Sequence, residues 1–183
     1  MSAAAAGPET LVVVTYLEMD ERLAGPFPAL PVNAPVSLMR AVDPTPRYFL
    51  YLYDTAGEGH HWVDRHADAP EDLRAFVEHE DVALFSLIWD GWPGGLLMLD
   101  WREAGVCDLA YLGLGGPLRG RGLGPWLLGE AIRMGWDRDG VEKMTVNTCT
   151  LDHPKALGMY QRAGFIPVRR VEERRVLDGG AGA

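Results

Sequence analysis

The chain has 183 residues, with 17 Lys and Arg against 26 Asp and Glu, a formal net charge of -9, and 48% hydrophobic residues. Such a length suits one domain with a sizeable core. The acidic balance argues against a general nucleic-acid grip, which draws its affinity from neutralising phosphates, so any bound phosphate has to be held locally.

Met1 to Pro8 has neither the charged start nor the apolar stretch of a signal peptide, and no apolar run approaches membrane-spanning length. The reading is a cytoplasmic protein without a membrane partner, with a flexible N-terminus over residues 1–8, one domain over 9–177 and a flexible tail over 178–183. Leu11 to Glu18 reads as a first strand. The Pro-rich stretch from Pro26 to Pro46 reads as a long loop with room for a short helix, and its length suggests a role in substrate binding. Arg47 to Ala56 reads as a helix whose aromatics Tyr48, Phe49, Tyr51 and Tyr53 cannot all face inward. Pro70 to Glu78 reads as a second helix with Pro70 in its first turn.

From Val82 the pattern sharpens. Apolar runs from Val82 to Trp89, Gly95 to Trp101 and Val106 to Leu114, with Asp90-Gly91 turning the first pair, predict an antiparallel meander. Leu123 to Trp136 is the main amphipathic helix and Glu142 to Cys149 the next strand. Asp152 is the expected cap of a helix with Pro154 in its first turn and Gly164 at its end, and Phe165 to Leu177 closes as a strand. Cys107 and Cys149 fall in separate strands, which favours buried reduced thiols over a disulfide or a metal pair, and no metal is expected.

Arg119-Gly120-Arg121-Gly122-Leu123-Gly124 sits between the run ending at Leu114 and the main helix. Three glycines in five residues let backbone N–H groups converge, and the helix start adds unpaired N–H groups and the positive end of its dipole. The expected ligand is a phosphate or pyrophosphate. The spacing is not G-x-G-x-x-G, and no Gly-Lys-Ser/Thr follows, so neither a dinucleotide fingerprint nor a Walker A loop fits.

Downstream stands Ala156-Leu157-Gly158-Met159-Tyr160-Gln161-Arg162-Ala163-Gly164-Phe165. Together the two segments resemble the GNAT superfamily of acetyl-CoA-dependent N-acetyltransferases, with an R/Q-x-x-G-x-G/A pyrophosphate loop (Arg119, Gly122, Gly124) and an A-x-x-x-Y-x-x-x-G-F helix (Ala156, Tyr160, Gly164, Phe165). The resemblance spans residues 82 to 176 well, and the first 80 only in the order of elements. It implies an α/β GNAT fold with a mixed, mainly antiparallel central sheet flanked by helices. It also implies acetyl transfer from acetyl-CoA to a primary amine in a ternary complex, without a covalent acyl-enzyme.

The resemblance also implies residue roles. Leu112, Gly113 and Leu114 would line the pantetheine arm, with the Leu114 N–H as oxyanion donor. Arg119, Gly120, Arg121, Gly122, Leu123 and Gly124 would hold the pyrophosphate, and Tyr160 would protonate the leaving thiolate, with Ala156 making room beside it. A free alkyl amine has a pKa of about 10.4, so a proton must be removed before attack. Two residues compete for that task. Asp108 matches an acidic position in relatives and shares a strand face with Leu114 if no bulge intervenes. His153 stands where relatives place a coenzyme-binding asparagine, and reads as a coenzyme contact or part of the helix start before it reads as a base.

Pro125 departs from the pattern by removing one N–H from the first turn, at small cost. His60, His61, Trp62 and Asp64 are candidates for the acceptor wall, and the net negative charge favours a cationic acceptor, either a small molecule or a protein amine. The oligomeric state is open, a homodimer included. A coenzyme A-binding sensor or regulatory module without turnover is the alternative reading.

Overall fold

Among the residues described by the structure, a computed structural model covering 9–23 and 25–176, seven strands and four α-helices follow one another. They are β1 (Glu9–Met19), β2 (Val36–Arg40), α1 (Pro46–Gly57), α2 (Pro70–Val77), β3 (Val82–Trp89), β4 (Trp92–Asp100), β5 (Val106–Leu114), α3 (Leu123–Trp136), β6 (Lys143–Cys149), α4 (Ala156–Arg162) and β7 (Ile166–Val176). The flexible ends expected at 1–8 and 178–183 lie outside the described residues.

One sheet runs in the order β2-β3-β4-β5-β6-β1-β7. Its neighbours are antiparallel except β5 and β6, so the sheet is mixed and mainly antiparallel as expected. Asp90 and Gly91 both take positive φ, 46° and 89°, which gives the β3–β4 hairpin a turn that follows the strand twist.

Two apolar layers cover the sheet. On one face Phe49, Leu52, Tyr53 and Ala56 of α1, with Leu73, Phe76 and Val77 of α2, pack on Leu84, Leu96 and Met98. On the other, Leu123, Leu127, Leu128, Ala131 and Ile132 of α3, with Tyr160 of α4, pack on Leu97, Leu99, Leu109 and Val146. The four aromatics of α1 divide as their spacing requires: Phe49 and Tyr53 are buried, Tyr51 is exposed, and the Tyr48 hydroxyl meets Ser86 Oγ at 2.7 Å.

Two expectations are corrected. The stretch from Pro26 to Pro46 holds a strand, β2, not a helix. Its five residues are set off by Pro35 and pair only with β3 at the sheet edge, so a short run among prolines carries little periodic signal. Pro154 precedes α4, and Asp152 does not cap it: Asp152 Oδ2 accepts from Thr148 Oγ1 (2.7 Å) and the Cys149 N–H (2.8 Å), tying off the end of β6.

Candidate active site

Strands β5 and β6 are joined by only three residue pairs, Val106 with Lys143, Cys107 with Met144 and Asp108 with Thr145. Beyond Asp108 they part, and two cavities open at the parting. The first, about 450 Å3, reaches from the glycine loop past β5 to α4. The second, about 320 Å3, lies on the α1 and α2 side and is floored by Asp108. His60, Trp62, Ala110, Tyr111, Asn147 and Asp152 line both, so the cavities meet there.

At the far end of the first cavity stands the glycine loop, the candidate anion cradle. Gly120 and Gly122 both stand at φ 77°, the left-handed conformation from which anion-binding turns of backbone N–H groups are built. Gly122 is the N-cap of α3 and offers no side-chain cap, so the first-turn amides remain available and the dipole's positive end faces the cavity. Leu123 and Gly124 line this wall, and Pro125 beside them shows that the missing N–H leaves the helix start intact.

The two flanking arginines are otherwise employed. Arg119 donates from Nε to the Leu114 carbonyl (2.9 Å) and from Nη2 to the carbonyls of Ala56 (3.1 Å) and Glu58 (2.7 Å), pinning the end of α1 to the end of β5. Arg121 turns away, with Nε on the Pro117 carbonyl (2.8 Å) and its guanidinium 4.8 Å over the Trp89 ring, and its side chain does not line the cavity. Arg119→Met is therefore expected to lower stability by about 2 kcal/mol, because three carbonyls lose a charged donor; urea unfolding checks this as a lower midpoint at unchanged slope.

Strand β5 supplies the backbone donors. The Gly115 N–H goes to the Gly94 carbonyl of the β4 side (2.8 Å), whereas the Leu114 carbonyl goes to Arg119. Alternate residues of a strand send N–H and C=O to the same side, so the N–H groups of Leu112 and Leu114 face the opening, away from β4. Gly113 between them is needed for packing on the other face: a Cβ there would stand 2.7 Å from Ala56 Cβ and 3.2 Å from the Trp62 ring.

The expected shared face of Asp108 and Leu114 is not found. Pairing to β4 passes from Tyr111 with Met98 to Leu109 with Leu99, and Ala110 is the extra residue of a bulge. Leu109, Leu112 and Leu114 consequently pack on the α3 side, Ala110 and Tyr111 on the α1 side, and Asp108, next to Leu109, on the α1 side too. Six residues at about 3.3 Å each also separate Asp108 from Leu114 by roughly 20 Å, too far for both to serve one reacting carbon.

Asp108 Oδ1 accepts from Thr145 Oγ1 at 2.6 Å, and among the described residues its second oxygen has no protein donor and faces the second cavity. Burial raises its pKa above the usual carboxylate range, with Asp100 and Glu103 adding repulsion and the Thr145 bond opposing. Tyr160 is 6% exposed, and burial raises its phenol. Its hydroxyl has no protein partner among the described residues, yet no fully buried side-chain polar atom there lacks one, so the hydroxyl opens into the first cavity. Ala156 and His153 line the same wall. His153 Nδ1 accepts the Lys155 N–H (3.2 Å), so the neutral ring carries its proton on Nε2 and presents a donor.

The model of the acetyltransferase (GNAT) family matches residues 39–165, more than half of the chain. The chain belongs to the acetyltransferase (GNAT) family. GNAT structures share its fold at low identity. One is a GCN5-related N-acetyltransferase from Sphaerobacter thermophilus, with 19% identity and a TM-score of 0.61 over 94% of this chain and 54% of that one. A tandem GNAT protein of the clavulanic acid biosynthesis pathway gives 17% identity and 0.61 over 96% and 56%. An aminoglycoside N-acetyltransferase in complex with CoA gives 19% and 0.54 over 78% and 95%. The chain thus spans little more than half the length of the first two. No curated protein sequence matches it.

Asn147 and Tyr111, which the sequence does not single out, line both cavities where they meet, as does His60. No spacing signal marks them, because they come from three separate elements. His61 does not line the first cavity, and Asp64 stands at the rim of the second with its side chain 73% exposed. Among the described residues, no helix is long and apolar enough to cross a membrane.

Proposed function

We propose that this chain transfers the acetyl group of acetyl-CoA to a primary amine by direct attack in a ternary complex. One observation carries the reading: a cavity that begins at an anion cradle meets, at the parting of β5 and β6, a second cavity floored by a carboxylate. The coenzyme fits the first. Its pyrophosphate takes the N–H groups of the Gly120 to Gly124 turn and the start of α3, and its arm lies along the open edge of β5. Acetyl-CoA supplies an acetyl thioester to the place where the cavities join.

There the Leu112 N–H, rather than that of Leu114, faces the developing oxyanion. It lies on the same open edge, about 7 Å nearer to Asp108, and leaves the Leu114 N–H for the arm. Asp108 draws the ammonium group into the second cavity and removes its proton through water. Its raised pKa brings the carboxylate closer to the amine in basicity, which favours that transfer. His153 offers the coenzyme a donor, and its engaged Nδ1 argues against a base role. Neither thiol is a nucleophile: burial pushes Cys107 up to about 12 and raises Cys149.

Tyr160 gives its proton to the departing sulfur. Burial raises its phenol, so the proton stays on the hydroxyl until the thiolate forms beside it. Tyr160→Phe keeps the ring and is expected to lower turnover about tenfold with coenzyme affinity unchanged, measured by steady-state kinetics and calorimetry.

The reading is tested by coenzyme A release from acetyl-CoA with a panel of small amines, amino acids, amino sugars and lysine peptides. Amine-dependent release supports it. Coenzyme binding with no release for any amine would instead identify a silent coenzyme-binding module.

A further inference from the structure

We infer that His60 is a second proton acceptor of the reaction, its Nε2 taking the proton that the attacking nitrogen sheds as it bonds to the acetyl carbon. This rests on the reading of the paired cavities as an acetyl-transfer site.

Position is the first support. His60 lies in the loop after α1 and lines both cavities where they meet. The loop is held on both flanks. The His60 N–H donates to the Gly57 carbonyl (2.8 Å), Gly59 and His61 take φ of 78° and 54°, and Trp62 packs so closely on Gly57 that a Cβ there would stand 2.4 Å from its own. Trp62 Nε1 donates to Asp152 Oδ1 at 3.1 Å, anchoring the loop across the cleft. A left-handed histidine is strained, and the surrounding contacts hold the conformation in place.

The tautomer is the second support. His60 Nδ1 lies 3.2 Å from the Leu151 carbonyl oxygen, which can only accept, so Nδ1 carries the proton and Nε2 a lone pair. His153 has the opposite tautomer, and the two rings meet edge to face at 6.1 Å. Around His60 stand Arg119 from the loop after β5, and Asp152 and His153 from the loop after β6. Burial and then Arg119 lower its pKa below the ordinary value, while the Leu151 bond and Asp152 oppose, so the ring is neutral at physiological pH.

The proton balance needs such a group. An ammonium acceptor loses two protons. The first leaves through Asp108 and water before attack. As the N–C bond forms and the C–S bond breaks, the electron pair goes to sulfur and the second proton goes to His60 Nε2. Sulfur receives the Tyr160 proton, and the proton on His60 restores the phenol through water in the first cavity. The products are the amide, the free thiol and one proton released to solvent.

His60→Asn places an amide donor near the position of Nδ1 and removes the base. The expected result is a fall in kcat/KM of about 100-fold and an acidic limb of its pH profile reduced to the contribution of Asp108, with acetyl-CoA affinity within about twofold by calorimetry. In the wild-type protein without substrate, nitrogen NMR should find a neutral ring at pH 7 protonated on Nδ1. Activity within about threefold of wild type with the limb intact, or a proton on Nε2, overturns the assignment. A wild-type protein that turns over no amine in the panel removes the acetyl-transfer reading itself, and this role with it, an outcome distinct from an active enzyme indifferent to His60.

Discussion

Asp108→Asn is expected to lower kcat/KM about 1000-fold and, at the same time, to raise thermal stability. Activity falls because the amide neither attracts an ammonium ion nor accepts its proton. Stability rises because the folded protein buries a carboxylate whose one protein donor among the described residues is Thr145, and the raised pKa records the cost of ionising it there. The sign follows from linkage: between the unfolded and the raised folded pKa the folded state binds more protons, so wild-type stability declines as pH rises through that window. The Asn variant escapes that decline, and its Oδ1 still accepts from Thr145. Its melting temperature should exceed that of wild type by about 2 °C or more at pH 8, and the difference should vanish below about pH 3, where the wild-type carboxyl is neutral in both states. Calorimetric scans across pH check this. A variant less stable than wild type at pH 8 would mean that the carboxylate is better compensated than its surroundings indicate.

Gly122→Asp is expected to weaken acetyl-CoA binding about 300-fold, because a carboxylate set among the cradle's N–H groups repels a pyrophosphate and competes for its donors. Asp is the informative choice. At φ 77° most side chains would be strained, but Asp tolerates the left-handed region, and the added Cβ meets Pro31 Cγ at an ordinary 3.5 Å. The fold should survive while the ligand is lost. Calorimetric titration with coenzyme A, together with an unchanged melting temperature, separates the two. Unchanged affinity would remove the cradle from the binding site.

Much of the fold was legible in local patterns. The meander from Val82 to Leu114 and the helix from Leu123 to Trp136 stand where periodicity put them, since each has one face or both buried and its apolar spacing states as much. The glycine loop was legible for a similar reason: positive φ at Gly120 and Gly122 is a local property written in residue type. β2 was not legible, because an edge strand of five residues with one partner shows little periodicity.

The glycine turn before α3 and the tyrosine of α4 are carried by residues close together in sequence, so the chain by itself located them, and its resemblance gave the family and the sheet type. The reacting centre was left to tertiary structure. One extra residue at Ala110 turns Asp108 to the face opposite Leu114, and strand length carries Leu114 out of reach, although spacing alone placed both on one side. Arg119, read as phosphate-binding, becomes a clamp only because the end of α1 brings three carbonyls to it. His60, a candidate for the acceptor wall in the sequence, has its Nδ1 set against the Leu151 carbonyl, 91 residues away. Periodicity and residue type encode what a residue does to its own backbone; which polar atoms meet, and which proton a ring keeps, depends on partners brought together only by packing.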